Sequence, residues 1–152
     1  IMSDKIMIRE YATQDKKEVL HLFRLNIPMY FGAEEEIEFI KYLETGRELY
    51  YVLLFEQIIV GCGGIHFADE GTTGKICWDI IHPEYQGKSL GTQLLKFRMK
   101  KLHDMPTIRK INVRTSQVVY KFYENNGFEL IEIVKDYWAN GFDMYLMIYK
   151  KK

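Results

Sequence analysis

The chain is short of several things that would place it in a special class. Its 152 residues include 3 prolines and 2 cysteines. The two cysteines, Cys62 and Cys77, cannot supply a zinc ligand set, and a domain of this length needs no disulfide. Both stand in apolar, strand-like runs, which predicts buried free thiols and a reducing, cytoplasmic setting. No metal is expected. Neither sign of charge dominates, since 21 Lys and Arg balance 21 Asp and Glu. That excludes nucleic-acid binding driven by overall charge. No apolar run approaches the roughly 20 residues of a membrane span. The opening IMSDKIMIRE is charged and has no apolar stretch of the kind that marks a signal peptide. Repeats, low-complexity segments and linkers are also missing. What the chain has in quantity is hydrophobic residues, at 47%. That is enough for one packed domain spanning residues 1–152.

Periodicity divides the chain into alternating elements. Ile6–Ile8 reads as a short strand. Thr13 or Asp15 can cap a helix whose apolar positions are Val19, Leu20, Leu22 and Phe23. A second helix is expected over Glu34–Leu43, with Ile37, Ile40 and Leu43 on one face and Thr45-Gly46 at its end. Leu49–Glu56 and Ile58–Phe67 are β-rich and about two residues apart, the signature of a tight hairpin. Lys75–Ile81 is the next strand, and ADEGTTG before it is a loop. Leu90, Leu94, Leu95, Met99 and Leu102 mark a helix from Ser89 to His103. Ile108–Thr115 reads as a strand and QVVYKFYENNGF as a short helix. FELIEIV and FDMYLMIYK close the chain as strands joined through KDYWANG. The order is β α α β β β α β α β β. It predicts an α+β domain: a mixed, mainly antiparallel sheet of about seven strands, flanked by about four helices, with one parallel β-α-β crossover.

The segment HPEYQGKSLGTQLL, His82–Leu95, leads from a strand through a glycine loop directly into a helix. A helix N-terminus carries unpaired N–H groups and partial positive charge. Glycines ahead of it let a phosphate approach the backbone. The spacing is neither a Walker loop nor the GxGxxG fingerprint. By itself it allows either a phosphate seat or an ordinary strand–helix turn.

Gln86-Gly87-Lys88-Ser89-Leu90-Gly91 resembles motif A of the GCN5-related N-acetyltransferases, [Q/R]-x-x-G-x-[G/A]. Ile81-His82-Pro83 looks like the V-x-P that precedes it. Lys121–Phe128, KFYENNGF, is similar to the family's FYExxGF. The opening IREYATQDKKEVLHLF and the closing GFDMYLM fit as well, so the resemblance covers nearly the whole chain. Two positions depart from the pattern. Ser89 stands where glycine is usual, and it is costly only if the loop demands φ > 0. Ser116 stands where many relatives carry asparagine.

The resemblance implies acetyl transfer from acetyl-CoA to a small-molecule amine or a protein amino group. Gln86, Gly87, Lys88, Ser89, Leu90, Gly91 and Thr92 would then hold the diphosphate. Ile80 and Ile81 would pair with the pantetheine arm like an added strand, and Ser116 would border the cofactor. Tyr123 would be the general acid toward the CoA thiolate, with Tyr120, three residues earlier on roughly the same helix face, as the rival candidate. The base is open. Lys75 occupies the position where many relatives have glutamate. Asp79 is either a carboxylate of raised pKa or a hydrogen-bonded structural group. His66 is the other candidate, and a water chain could replace either. The acceptor would meet the segment from Asn26 to Leu43 and the Tyr137-Trp138 loop. Glu34, Glu35, Glu36 and Glu38 either attract a cationic acceptor or form a solvated face. A non-catalytic CoA-binding module and a nucleotide-binding phosphate loop are the competing readings. The closing strands leave dimerisation through a shared sheet open.

Overall fold

The computed structural model describes residues 5–150. Its elements are β1 (Ile6–Glu10), α1 (Lys16–Leu25), α2 (Glu36–Lys41), β2 (Leu49–Phe55), β3 (Ile58–Ala68), β4 (Thr73–Ile81), α3 (Leu90–His103), β5 (Lys110–Thr115), α4 (Tyr120–Glu124), β6 (Phe128–Ala139) and β7 (Phe142–Tyr149). These strands form one seven-stranded sheet in the order β1-β2-β3-β4-β5-β7-β6. Among the described residues only β4 and β5 run parallel, joined by α3, as the β-α-β pattern requires.

Side chains alternate across this sheet, so each face has its own core. On one face α3 buries Leu90, Leu94, Leu95, Met99 and Leu102 against Tyr51, Leu53, Ile65, Ile76 and Val113. On the other, Val19, Leu20, Leu22 and Phe23 of α1 and Phe39 of α2 cover Tyr50, Val52, Cys62 and Ile80. Each such fully buried side chain contributes about 1.5–3 kcal/mol.

Three details depart from the periodicity. The second helix begins as a 3₁₀ turn, Ala33–Glu35, and ends in a wide π turn, Tyr42–Gly46. Ile37, expected on its apolar face, is 69% exposed, and Phe39 takes the buried position. The third is at the end of the chain, where β6 continues through Lys135–Ala139 and only Asn140-Gly141 turns. The β2–β3 hairpin is as tight as expected. Glu56 and Gln57 carry its positive φ, 51° and 71°, where Asn-Gly is the usual pair.

The β4–β5 ladder is the feature that makes a site. It holds from Thr73↔Lys110 to Ile76↔Val113 and stops there. At the same level β4 bulges against β3, between the Cys62↔Ile80 and Gly64↔Cys77 pairs, with Trp78 at φ 50°. The bulge turns β4 away from β5. It leaves the β5-facing edge of Cys77–Ile81 without a strand partner among the described residues.

Candidate active site

The splayed strands open a cleft of about 880 Å³, bordered by β4, the loop into α3, the end of β5, α4 and Trp138 near the end of β6. Ile80, Ile81, Gln86, Gly87, Ser89, Leu90, Gly91, Thr92 and Ser116 line it, and so do Asp79 and Tyr123. Of the residues expected to hold the cofactor, Lys88 alone does not.

The loop into α3 has the shape an anion needs. Gly87 has φ 80° and nothing within 4 Å of a built Cβ, so the backbone lies bare. Ser89 caps α3 at φ 68°, the left-handed region, and its hydroxyl makes no capping bond. Positive φ is therefore required where serine replaces glycine, and serine adopts it at a cost. The N–H groups of Leu90, Gly91 and Thr92 belong to the first turn and have no partner within the helix. Gln86 braces the loop from outside by accepting from the Tyr30 hydroxyl at 3.0 Å. Ser116 serves the next turn, its Oγ accepting from the Val118 N–H at 3.2 Å ahead of α4.

Deeper in the cleft lies a buried charge network. Arg98 projects from α3 and is fully buried. Its Nη1 donates to Asp79 Oδ1 at 2.5 Å and its Nη2 to Asp79 Oδ2 at 2.9 Å. It also donates to the carbonyls of Gly64 and Leu94. The Tyr123 hydroxyl, from α4, donates to Asp79 Oδ2 at 2.5 Å. Of the two readings left open for Asp79, the hydrogen-bonded one describes its surroundings. Burial, and then the Asp79 charge, hold the Tyr123 phenol well above its ordinary pKa, so it keeps its proton at neutral pH. Burial opposes the Arg98 charge, but Asp79 outweighs it, and the guanidinium sits above its ordinary value. Gly63 makes the room: a Cβ there would meet Asp79 Oδ1 at 2.7 Å and Arg98 Nη1 at 2.9 Å.

The opposite wall is formed by Asn26, Tyr30, Phe31, Glu35 and Tyr42, from the end of α1 to the turn after α2, within the segment expected to meet the acceptor. Phe31, Tyr42 and Trp78 give it an aromatic surface. Buried Asn26 ties this wall to β4 by donating to the Ile81 carbonyl at 3.2 Å. Of the four glutamates at the start of α2, only Glu35 is buried and reaches the cleft. Burial raises its pKa, and it accepts from the Gly32 N–H at 2.8 Å. Glu36 instead pairs with Arg24 at 2.9 Å. Cys62 and Cys77 are both free thiols. Cys77 lines the cleft, and burial pushes its pKa up to about 12.

Sequence reasoning missed Arg98 and Glu48. Arg98 left a trace: it stands four residues from both Leu94 and Leu102, in register with the apolar stripe of α3. A charge on that stripe needs a buried partner, and Asp79 was the acid standing among apolar neighbours. Glu48 left none, because only the register of β2 on β3 brings it to His66.

A family model described as an acetyltransferase (GNAT) domain matches residues 46–130, more than half of the chain. No curated protein matches it. Among solved structures, the ribosomal-protein-S18-alanine N-acetyltransferase from Escherichia coli is similar at 17% identity. The match covers 95% of this chain and 92% of that one, with a TM-score of 0.78. A spermidine N-acetyltransferase from Vibrio cholerae is 16% identical over 95% and 93% of the two chains, at 0.72. An aminoglycoside 6'-N-acetyltransferase complexed with coenzyme A is 14% identical over 96% and 98%, at 0.75.

Proposed function

As the chain belongs to the GNAT acetyltransferase family, we propose that its residues 1–152 form a single acetyltransferase domain that moves the acetyl group of acetyl-CoA to a primary amine by direct attack. One observation carries the reading: the splay of β4 from β5 faces the glycine loop of α3 and a buried tyrosine hydroxyl within one cleft. The local geometry fits the donor substrate. Gly87, Ser89 and the first-turn amides of α3 would take the diphosphate, with Gln86 bracing them and Lys88 adding positive charge outside the cleft. The edge of β4 at Ile80 and Ile81, which has no strand partner among the described residues, would pair with the pantetheine amides. An N–H of that edge would polarise the thioester carbonyl. Ser116 would border the far end.

Tyr123 is the acid in this reading. Its O–H rests on Asp79 and rotates about the Cζ–Oη bond toward sulfur as the C–S bond breaks and thiolate charge builds. Asp79, fixed by Arg98, then takes the part of an anchor that holds the phenol in reach. The acceptors named for the similar structures, a protein alanine, spermidine and an aminoglycoside, are all amines, which supports an amine here. The two free thiols support a cytoplasmic setting. No helix among the described residues is long and apolar enough to cross a membrane.

The test is CoA release from acetyl-CoA with a panel of polyamines, aminoglycosides, amino acids and N-terminal peptides. Tyr123→Phe is expected to lower kcat by about 10²–10⁴ while the CoA Kd holds. An unchanged kcat removes Tyr123 as the acid. A second reading, a CoA-binding module without turnover, is favoured by the Tyr123 proton already being committed to Asp79. Tight CoA binding with no transfer to any amine would establish it.

A further inference from the structure

An alkylammonium must lose a proton before it can attack, and the cleft offers few groups to take it. Asp79 is occupied by Arg98 and Tyr123. Cys77 shares a contact with the Tyr42 hydroxyl at 3.5 Å, and burial holds both groups protonated. Lys75 and Arg114 are cations, and the Glu35 carboxylate accepts from the Gly32 N–H at 2.8 Å. One group is arranged differently. His66, on β3, lines the cleft, and its Nδ1 lies 2.7 Å from Glu48 Oε1. The same Glu48 oxygen accepts from the Phe67 N–H at 2.8 Å, so the carboxylate is fixed before it meets the imidazole. A carboxylate on Nδ1 selects the tautomer with the proton there, leaving the Nε2 lone pair free. No group among the described residues bonds Nε2.

The face of the sheet is also right. Ile65, Ile76 and Val113 point into the α3 core. By alternation their neighbours His66, Lys75, Cys77 and Arg114 point to the other face, beneath the aromatic wall. His66 is the Cα partner of Lys75, so the two side chains stand side by side on this face. The side chain is about half exposed, which lets it return a proton to water. The charged and titratable groups facing it are Glu48 from the segment before β2, Lys75 and Cys77 from β4, Tyr42 from the turn after α2 and Arg114 from β5.

We infer that His66, oriented by Glu48, is the general base that deprotonates the acceptor ammonium, directly or through one water. This rests on the acetyl-transfer reading above. The ammonium gives one proton to Nε2, and the imidazolium passes it to solvent. The freed nitrogen lone pair forms the C–N bond, and the C–S bond breaks. The thiolate takes the Tyr123 proton, and Tyr123 recovers one from the second N–H of the new amide nitrogen. The sum is one amide, one thiol and one proton released. Glu48 is a positioning residue and does not touch the acceptor.

The experiment compares acceptors of different basicity. His66→Gln is assayed with the alkylamine that wild type acetylates fastest and with 2,2,2-trifluoroethylamine, which is already neutral at pH 7. kcat/KM is expected to fall about a hundredfold for the alkylamine and less than about threefold for the fluorinated amine. The alkylamine deficit closes as pH rises and the free amine accumulates. Glu48→Gln shows the same selectivity at smaller size. Equal losses for the two amines, or the selective loss in Glu35→Gln instead, overturn the assignment. A wild type that transfers acetyl to no amine overturns the transfer reading itself, and that result is read without any variant. His66 is half-exposed on a strand, so His66→Gln is expected to fold, and its melting temperature checks this.

Discussion

Ser89 shows how much one dihedral angle decides. A left-handed conformation costs a residue with a Cβ about 1 kcal/mol relative to glycine. The hydroxyl returns nothing, since it caps no amide. Ser89→Gly is therefore expected to raise stability by about 0.5–1 kcal/mol and to leave CoA affinity unchanged or tighter. Thermal melting with and without CoA measures both. Asp15 makes the corresponding case for charge. It is buried and accepts from Arg9 at 2.8 and 3.0 Å and from the Ala12 N–H at 2.9 Å. The Arg9 hydrogen bonds hold its pKa below the ordinary carboxylate value. A depressed folded pKa stabilises above the unfolded value, and the contribution is lost as pH falls through the folded one. Wild-type stability should therefore drop below about pH 4, and Asp15→Asn should lack that part of the drop. At pH 7 the same substitution costs about 1–2 kcal/mol, allowing for screening at the part-exposed Arg9.

Between elements, the Arg98–Asp79–Tyr123 network joins α3, β4 and α4, with Gly64 of β3 as a further acceptor. It sits where β4 and β5 part, so it braces the cleft at the place where the ladder no longer does. Arg98→Met would leave the part-buried Asp79 carboxylate without its cation, at a cost of about 3 kcal/mol, the low end for a buried pair. The double variant Arg98→Met with Asp79→Leu removes both charges and is expected to recover much of that stability while losing turnover. Chemical denaturation of the two variants separates charge pairing from packing. Gly63→Ala places a methyl group against both partners. It is expected to lower melting temperature and kcat together. An alanine variant as stable and as active as wild type would show that the network gives way freely at this point.

Binding and folding are linked across the entire domain. A ligand that bridges β4, α3 and α4 binds only the folded state. At a hundred times Kd, CoA is expected to add about 2.7 kcal/mol. That is about 5–10 °C in melting temperature for a domain of this length. Arg98→Met should blunt the shift, because it loosens the elements that share the ligand. Much of the architecture was legible in the chain itself. The order of elements, the tight hairpin, the α1 and α3 stripes and the loop into α3 follow from local signals: period, turn residues and apolar spacing. Local signals failed where the environment overrode them, as at Ile37 and at Lys135–Ala139, which an edge strand recruited. The chain alone also marked Asp79, Tyr123 and His66 as chemical groups. It did not say which of them were free. That was decided by Arg98, which reaches Asp79 from a different element, and by Glu48, which reaches His66 from the segment before β2. A charge finds its partner through the fold, and a group's proton affinity depends on that partner. The sequence determines which acids and bases exist, and the tertiary structure determines which keep a lone pair to use.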